Sequence, residues 1–329
     1  MSLGEFDLIN KFFNKKRYQC NYIDLGIGDD CALITLPENH VLAVSNDTFI
    51  ANVHFLQNIR PSDLAYKALS VSISDLAAMG ADPTCLTLSI TLPKLNNSWL
   101  FSFSNNLFKL LDYYNMQLIG GDTNRGPLSL TFNVYGYIPK GFAIKRSGAK
   151  LNDLIYVTGT LGDSAAGLKL LQNHIKIKNN KVYKSLIKRH LRPIPRILQG
   201  QALRYIASSA IDISDGLISD LSHILKHSNC GAHINIENIP LSSDLIENFE
   251  FNQILYWALN GGEDYELCFT IPEINCEKLN IALNNFNVPY TCIGRIVHKS
   301  KGLIFFKNGK PLKFRNEGYD HFKQKNHNK

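Results

Sequence analysis

Carboxylate side chains follow glycine or hydroxyl residues at six places along the chain, and they are the residues best suited to chemistry. The six segments are Gly26-Ile27-Gly28-Asp29-Asp30, Ser45-Asn46-Asp47, Ser74-Asp75, Gly120-Gly121-Asp122, Asp212-Ile213-Ser214-Asp215-Gly216 and Gly261-Gly262-Glu263-Asp264. Neighbouring carboxylates repel one another unless a cation lies beside them. Hard oxygen ligands without clustered histidine or cysteine favour Mg²⁺ over Zn²⁺. The pattern predicts that folding brings these segments together as one site for Mg²⁺ and phosphate.

A simpler explanation exists for any single aspartate after glycine or serine, because such residues often cap helices or close turns. This explanation suits Asp63 and Asp163. It suits Asp212 poorly, since Asp212 lies within an apolar strand pattern where an uncompensated carboxylate is unfavourable. It also leaves the recurrence of the acidic turns to coincidence.

Three better-known site patterns are incomplete in this sequence. Gly26-Ile27-Gly28 lacks the third glycine of a dinucleotide-binding fingerprint and precedes a predicted strand instead of following one. Residues 162–167 have the glycine spacing of a P-loop, but Leu168-Lys169 follows where Lys-Ser/Thr is required. His223 and His227 could share a zinc ion, but no third ligand accompanies them, so a solvated helix face is the better interpretation.

Length and composition indicate a globular protein of two domains. The 329 residues suffice for two domains of about 150 residues each. The net charge of +7 is scattered, and without a dense Lys/Arg block we do not expect nucleic-acid binding. No apolar run approaches the roughly 20 residues of a membrane span, and no signal peptide is seen. The seven cysteines include no Cys-x-x-Cys pair, which favours reduced thiols in a cytoplasmic protein.

The elements that must position the carboxylates are strands and helices mixed along the whole chain. We therefore expect two mixed α/β domains, residues 1–148 and 149–329. Strands are predicted over 31–36, 41–45, 84–92, 117–119, 128–138, 154–159, 231–236, 265–271 and 291–297, and residues 210–216 are predicted as a strand that runs into a turn. Helices are predicted over 5–16, 61–80, 99–114, 164–171, 195–207, 217–227, 253–259 and 276–285. The strand over 41–45 should end at Asn46-Asp47, the strand over 117–119 should break into Gly120-Gly121-Asp122, and residues 176–188 should form a surface excursion.

Two longer motifs are specific enough to indicate a family. The runs Ser74-Asp75-Leu76-Ala77-Ala78-Met79-Gly80 and Gly261-Gly262-Glu263-Asp264-Tyr265-Glu266-Leu267 closely resemble those of thiamine-monophosphate kinases. The glycine and aspartate turns alone would also fit the wider family that includes aminoimidazole ribonucleotide synthetase and selenophosphate synthetase. The resemblance extends over almost the whole chain.

The resemblance implies ATP-dependent phosphorylation of thiamine monophosphate to thiamine diphosphate, assisted by several Mg²⁺ ions. It implies an N-terminal domain that binds ATP and Mg²⁺ and pairs with a second subunit in a dimeric β-barrel. It also implies a C-terminal domain, a sheet covered by helices, that closes the active site. The expected partners are thiamine monophosphate, ATP and a second copy of the chain, with no membrane.

Individual roles are also implied by the resemblance. The Mg²⁺ ligands would be Asp30, Ser45, Asn46, Asp47, Asp75, Asp122, Asp212 and Asp215. Gly121, Asp122, Arg146 and Ser214 would bind ATP, while His54, Glu263 and Tyr319 would bind thiamine monophosphate. The residues most important for catalysis would be Asp30, Asp122, Asp212 and Arg146. The family's usual Ser-Thr-Asp reads Ser45-Asn46-Asp47 here, so Asn46 offers a carbonyl oxygen instead of a hydroxyl.

The chemistry explains why so many carboxylates would be needed. The nucleophile is a phosphate oxygen that is already ionised, so the reaction requires no general base. The obstacle is repulsion between two polyanions, which Mg²⁺ and Arg146 would offset while aligning the attacking and leaving oxygens. Two alternatives stay open: another ATP-using enzyme of the wider family, or a non-catalytic protein that binds thiamine phosphate.

Overall fold

The computed structural model describes residues 4–15, 18–312 and 314. The described residues form two compact units. The first is drawn from Met1–Ile144 and Leu191–Tyr205, and the second from Lys145–His190 and Ile206–Lys329. Within the described ranges, every helix is too short or too polar to cross a membrane.

The helices and strands before residue 140 are α1 (Glu5–Leu8), β1 (Ile23–Leu25), β2 (Leu33–Ile34), β3 (His40–Ile50), α2 (Pro61–Ala78), β4 (Asp82–Leu92), α3 (Asn97–Tyr113), β5 (Gln117–Arg125) and β6 (Ser129–Pro139). The later elements are β7 (Leu154–Thr158), α4 (Asp163–Leu171), α5 (Asn180–Leu191), α6 (Ile197–Leu203), β8 (Ser209–Asp212), α7 (Leu217–Ser228), β9 (Cys230–Asn235), α8 (Ser243–Ile246), α9 (Phe251–Asn260), β10 (Leu267–Ile271), α10 (Cys276–Leu283), β11 (Tyr290–His298), β12 (Leu303–Lys307) and β13 (Lys310–Leu312). Mixed α/β architecture is thus confirmed.

The described residues of the first unit contain an open four-stranded sheet in the order β3-β6-β4-β5. Strand β6 is antiparallel to β3 and β4, while β4 and β5 are parallel. Because side chains alternate along a strand, one face carries buried residues such as Leu88 and Phe132 and packs against helix α2. The other face exposes Val44 and Ile50. The strands do not close into a barrel within the described chain.

Two strands of the first unit run further than the sequence predicted. Strand β3 continues through Asn46-Asp47 to Ile50, paired with β6 along its whole length. Strand β5 continues through Gly120-Gly121-Asp122 to Arg125, paired with β4. Pairing to neighbouring strands satisfies the backbone amides and outweighs the weak strand preference of glycine and aspartate. The predicted loop positions of Asp47 and Asp122 are therefore wrong, because both lie inside strands.

The N-terminal predictions were also partly wrong. In place of one helix over 5–16, α1 is followed by a π-helical turn at Ile9–Phe13. Leu8, Phe12 and Phe13 are buried there, but Phe6 is 78% exposed and does not share their face. The predicted strand over 31–36 shortens to β2, which pairs with β1.

The described residues of the second unit contain a seven-stranded sheet in the order β13-β12-β9-β11-β7-β10-β8. Neighbours are antiparallel except β12 and β9. Helix α7 packs against β8, β9 and β10, as expected for a sheet covered by helices. Residues 176–188 do not form a surface excursion. They include most of α5, whose Val182, Leu186 and His190 are buried at a spacing of four residues, which places them on one helix face.

Candidate functional site

The best-formed acidic group of the first unit lies between β3 and α2. Ser45 and Asp47 lie on the helix-facing side of β3, and the Ser45 hydroxyl donates a hydrogen bond of 2.5 Å to Asp75 Oδ2 on α2. Burial, followed by the charge of Asp75, raises the pKa of Asp47 to about 6, while a hydrogen bond from Ser72 lowers it. Asp47 Oδ2 is buried and has no hydrogen-bond partner among the described residues. A buried carboxylate oxygen without a donor, facing a second carboxylate, is suited to a cation.

Asn46 lies on the opposite face of the same strand, because neighbouring side chains of a strand alternate. Its amide nitrogen donates to Asn133 Oδ1, and Asn133 Nδ2 donates to Thr87 Oγ1 at 3.1 Å. The structure therefore separates the side chain of Asn46 from those of Ser45 and Asp47. A ligand role for Asn46 stays a prediction.

Gly121 and Asp122 lie on β5, next to β4. Gly121 has φ +153°, and a Cβ atom there would lie 1.9 Å from the carbonyl oxygen of Leu88, so only glycine fits. Asp122 is exposed, its Oδ1 accepts a hydrogen bond from the Thr123 amide at 2.9 Å, and its Oδ2 accepts one from Asn124 Nδ2 at 2.5 Å. The close approach of the two strands thus fixes the backbone from which Asp122 projects.

Asp30 and His54 lie in turns of the first unit. Asp30 is exposed and its amide donates to Asp29 Oδ1 at 2.8 Å. His54 Nδ1 accepts a hydrogen bond of 3.0 Å from the Ile50 amide, which places the ring hydrogen of the neutral form on Nε2. The His54 ring also meets Phe49 edge-on, with the ring centroids 6.3 Å apart. These contacts fix the orientation of His54 at the end of β3.

No cluster of three or more histidine, cysteine, aspartate or glutamate side chains that could hold a metal is found within the described ranges. The predicted ligands of the first unit instead form one close pair, Asp47 and Asp75, with Asp30 and Asp122 exposed elsewhere. The oxygen donors present suit Mg²⁺, since Ser45, Asp47 and Asp75 supply a hydroxyl and carboxylates without histidine or thiolate.

In the second unit, Asp212 and Asp215 lie where β8 leads into α7. Asp212 is the last residue of β8 and is buried, opposite Leu267 of β10. Asp220, in the first turn of α7, accepts a hydrogen bond of 3.0 Å from the Asp215 amide. Burial, followed by the charges of Asp212 and Asp215, raises the pKa of Asp220 well above its usual range. Asp220 is not among the site residues predicted from the sequence. Its only local signal is its place in the first turn of a predicted helix, and capping explains most such aspartates.

Ser214 connects this turn to the segment that contains Glu263. The Ser214 carbonyl oxygen accepts a hydrogen bond of 2.8 Å from the Glu263 amide. Glu263 itself has φ +66°, and its Oε2 lies 3.4 Å from His190 Nδ1. The structure therefore brings together two segments, predicted to bind ATP and thiamine monophosphate respectively, that are almost 50 residues apart in sequence.

Arg146 presents an exposed side chain on an anchored backbone. Its carbonyl oxygen accepts a hydrogen bond of 2.9 Å from Ser228 Oγ, and that same hydroxyl oxygen accepts hydrogen bonds from the amides of Gly148 and Ala149 at 3.1 Å.

Burial, followed by the charge of Arg146, lowers the pKa of His223. His227 Nδ1 donates to the His223 carbonyl oxygen at 2.8 Å, so this nitrogen is not directed at a shared zinc ion.

Tyr319, the third residue predicted to bind thiamine monophosphate, lies outside the described residues. All seven cysteines lie inside the described ranges and are free thiols.

The chain resembles known proteins along nearly its full length. The family described as AIR synthase related protein, N-terminal domain, matches residues 28–138, and its C-terminal domain counterpart matches residues 150–306. The thiamine-monophosphate kinase of Escherichia coli (strain K12) is 58% identical over 322 residues, which cover 98% of this chain and 99% of that protein. The Bacillus subtilis (strain 168) thiamine-monophosphate kinase is 38% identical, covering 98% of this chain and all of the relative.

Solved structures agree. The crystal structure of thiamine-monophosphate kinase from Stenotrophomonas maltophilia K279a superimposes with a TM-score of 0.83 at 40% identity, covering 95% of this chain and 99% of that chain. The structure of AaThiL complexed with AMPPCP and TMP gives a TM-score of 0.75 at 32% identity, covering 98% and 99% of the two chains. The chain therefore belongs to the thiamine-monophosphate kinase family, within the AIR synthase related proteins.

Proposed function

We propose that this protein transfers the terminal phosphoryl group of ATP to thiamine monophosphate and so forms thiamine diphosphate and ADP. The observation that carries the proposal is 58% identity over 98% of the chain to a thiamine-monophosphate kinase. The related AaThiL was solved with AMPPCP and TMP, whose abbreviations fit an ATP analogue and thiamine monophosphate.

Several Mg²⁺ ions would be held by Asp30, Ser45, Asp47, Asp75, Asp122, Asp212 and Asp215, with Asn46 as a further candidate. When bound, these ions supply positive charge that offsets repulsion between phosphates and orients their oxygens. Asp47 provides the support for this assignment, because its buried Oδ2 has no hydrogen-bond donor in the described chain and its neighbour Asp75 is also acidic.

The protein's own groups would bind and orient the two substrates for in-line transfer. Gly121 and Ser214 would contact ATP through backbone and hydroxyl groups. The exposed guanidinium of Arg146 would bind phosphate oxygens, since guanidinium groups match the geometry of phosphate. Glu263 and His54, together with Tyr319, would bind thiamine monophosphate, and the carboxylate of Glu263 suits the cationic thiazolium. The acceptor phosphate is ionised at neutral pH, so none of these residues needs to remove a proton.

We also propose a homodimer built on the uncovered face of the β3-β6-β4-β5 sheet. That face exposes Leu42, Val44 and Ile50 beside the hydroxyl pair of Thr48 and Thr131. An exposed apolar sheet face with unpaired edges is prone to aggregation. Packing of the same face in a second copy would cover it and would form the dimeric barrel expected from the family. A cytoplasmic location fits the seven free thiols.

One assay separates the proposed kinase from its alternatives. ATP consumption is measured with and without thiamine monophosphate, and thiamine diphosphate is quantified in the same samples. If the protein is the kinase, ADP and thiamine diphosphate form in equal amounts, and little ADP forms without thiamine monophosphate. A different ATP-using enzyme of the wider family would show no dependence on thiamine monophosphate. A non-catalytic binding protein would bind thiamine monophosphate but release no ADP.

A further inference from the structure

The backbone between Glu263 and Tyr265 adopts a conformation that residues with side chains seldom adopt. Glu263 has φ +66° and Tyr265 has φ +51°, both in the left-handed region. Such a conformation is unfavourable for residues with a Cβ atom and persists only where the surroundings hold it. The groups that hold this segment therefore determine where the Glu263 side chain points.

Backbone hydrogen bonds and the Asp264 carboxyl group hold the segment from two sides. The amides of Glu263 and Tyr265 donate to the carbonyl oxygens of Ser214 and Ile213 at 2.8 and 2.9 Å. Asp264, which lies between them, is 2% exposed, and it accepts hydrogen bonds from the amides at the start of α4. These donors are Gly162, at 2.8 Å, and Ser164, at 3.2 Å. The segment is thus tied to the end of β8 and to the start of α4.

Arg189 of α5 compensates the buried carboxylates around this segment. Its Nη2 donates to Glu266 Oε1 at 3.1 Å and to the Thr160 carbonyl oxygen at 3.2 Å, while its Nε lies 3.5 Å from Asp163 Oδ2. Glu266 is fully buried and Asp163 is 3% exposed. Buried carboxylates are tolerated where cations and hydrogen-bond donors surround them, so Arg189 fixes α5 against the residues that follow Glu263.

His190, the next residue on α5, reaches Glu263 itself. Its Nδ1 lies 3.4 Å from Glu263 Oε2 and 3.1 Å from Ser164 Oγ. The His190 side chain is buried, whereas the Glu263 side chain is 29% exposed. Because carboxylate oxygens only accept hydrogen bonds, the contact is attractive with a hydrogen on Nδ1. A buried imidazole therefore lies against a carboxylate that solvent, and hence a ligand, can reach.

We infer that His190 is a positioning residue for Glu263: its Nδ1 sets the direction of the Glu263 carboxylate and thereby the affinity for thiamine monophosphate. Arg189 keeps the helix that carries His190 in place. The inference rests on the proposed function, because it takes Glu263 as a contact of thiamine monophosphate.

Two substitutions of His190 test the inference, because each keeps a nitrogen near only one of the two ring nitrogens. The amide nitrogen of His190→Asn occupies nearly the place of Nδ1, whereas that of His190→Gln occupies nearly the place of Nε2. We expect His190→Gln to raise KM for thiamine monophosphate about 5- to 20-fold, the effect of losing one attractive polar contact to a charged group. KM for ATP should stay within about twofold, and His190→Asn should restore KM for thiamine monophosphate to within about threefold of the wild type.

A double-mutant cycle shows whether His190 acts through Glu263. Glu263→Gln alone should raise KM for thiamine monophosphate, and adding His190→Gln should then change it by less than about twofold. Independent, multiplicative effects would overturn the inference. An equal rise in both KM values with a lower Tm would also overturn it, because that result indicates a purely structural role. If His190→Gln fails to fold, the comparison of His190→Asn with the wild type decides: a change above about tenfold in KM for thiamine monophosphate contradicts the inference.

The wild-type protein separates failure of the inference from failure of the proposed function. If the wild type forms no thiamine diphosphate and shows no calorimetric binding of thiamine monophosphate, the proposed function is wrong and the inference falls with it. If the wild type is active but His190→Gln, folded and stable, keeps its KM for thiamine monophosphate within about twofold, only the inference is wrong.

Discussion

Asp47 on β3 is buried beside Asp75 on α2, and burial, followed by the charge of Asp75, raises the pKa of Asp47. Together these effects bring that pKa to about 6, against a usual value of 3.8. Burial and repulsion within the Asp47–Asp75 pair therefore destabilise the metal-free protein, and this effect can be measured as a change in folding stability.

The first prediction concerns the pH dependence of stability without metal. Above about pH 6 Asp47 is ionised in both states, and folding carries the full cost of burying its charge beside Asp75. Below about pH 4 the carboxyl group is protonated in both states and the cost disappears. The contribution of Asp47 to stability should therefore fall as pH rises from 4 to 6, and Asp47→Asn should stabilise the protein by about 1–3 kcal/mol at pH 7.5 but little at pH 4.

Thermal melts in EDTA at pH 4 and pH 7.5 check this prediction. The exposed Glu38→Gln, next to β3, is the matched control and should change Tm little at either pH. Adding Mg²⁺ with ATP should raise Tm of the wild type more than that of Asp47→Asn. A lower Tm for metal-free Asp47→Asn at pH 7.5 would show that the carboxylate is already compensated by the protein.

The second prediction concerns Gly121. A methyl group there would lie 1.9 Å from the Leu88 carbonyl oxygen, and the backbone has φ +153°. Gly121→Ala should therefore destabilise the protein by about 3 kcal/mol or more, through overpacking and backbone strain together. Gly141, with φ +90° and open space around it, is the matched control, and alanine there should cost only about 1–2 kcal/mol. If urea unfolding shows that Gly121→Ala and Gly141→Ala lose equal unfolding free energy, the close contact at Gly121 is contradicted.

The third prediction concerns the dimer. Val44 lies on the uncovered face of the sheet and is 57% exposed, while Val41 lies on the same strand but on the other face. Val44→Asp should convert the dimer to a monomer at micromolar concentration, whereas Val41→Asp should leave it dimeric. Sedimentation velocity measures both. A wild-type protein that sediments as a monomer would refute the proposed interface.

The fourth prediction concerns the carboxylates assigned to Mg²⁺. Asp→Asn at Asp30, Asp122 or Asp212 should each lower turnover by about 10²-fold or more. Each substitution removes a ligand of the Mg²⁺ ions that would offset the phosphate charges in the transition state. Tm of metal-free Asp212→Asn should be equal or higher, because Asp212 lies beside the carboxyl groups of Asp215 and Asp220. Asp30 and Asp122 are exposed, so their metal-free variants should change Tm little. Glu247→Gln, an exposed carboxylate of the second unit, serves as control. Near-normal turnover of the three variants at limiting Mg²⁺ would rule out the assignment.

Much of the fold could be predicted from local patterns. Helix α2 carries an N-terminal proline, an apolar face and a glycine just beyond its end, and it was predicted to within two residues. The continuation of β5 through Gly120-Gly121 could not be predicted in this way, because it depends on pairing with β4, some 30 residues earlier. Helix α5 was missed although Val182 and Leu186 show its period, because the polar residues of 176–188 suggested a surface excursion.

The candidate site likewise contains residues that local motifs predict and residues that only the contacts of the folded chain reveal. Motifs identified Asp47, Asp75 and Glu263, since these residues stand in unusual local sequences. Asp220 and His190 have no such local signal, and their importance follows from contacts alone. His190 is more than 70 residues from Glu263 in sequence, so their contact becomes visible only when α5 and the strained segment are placed in space.

The central claim is that this chain makes thiamine diphosphate from thiamine monophosphate and ATP in a reaction that requires Mg²⁺. Its most direct test is one quantitative assay of purified protein, in which thiamine diphosphate and ADP are measured together with Mg²⁺ or with EDTA. We expect the two products in equal amounts with Mg²⁺, and neither above background in EDTA. Formation of ADP without thiamine diphosphate, or no turnover with Mg²⁺ present, would contradict the claim.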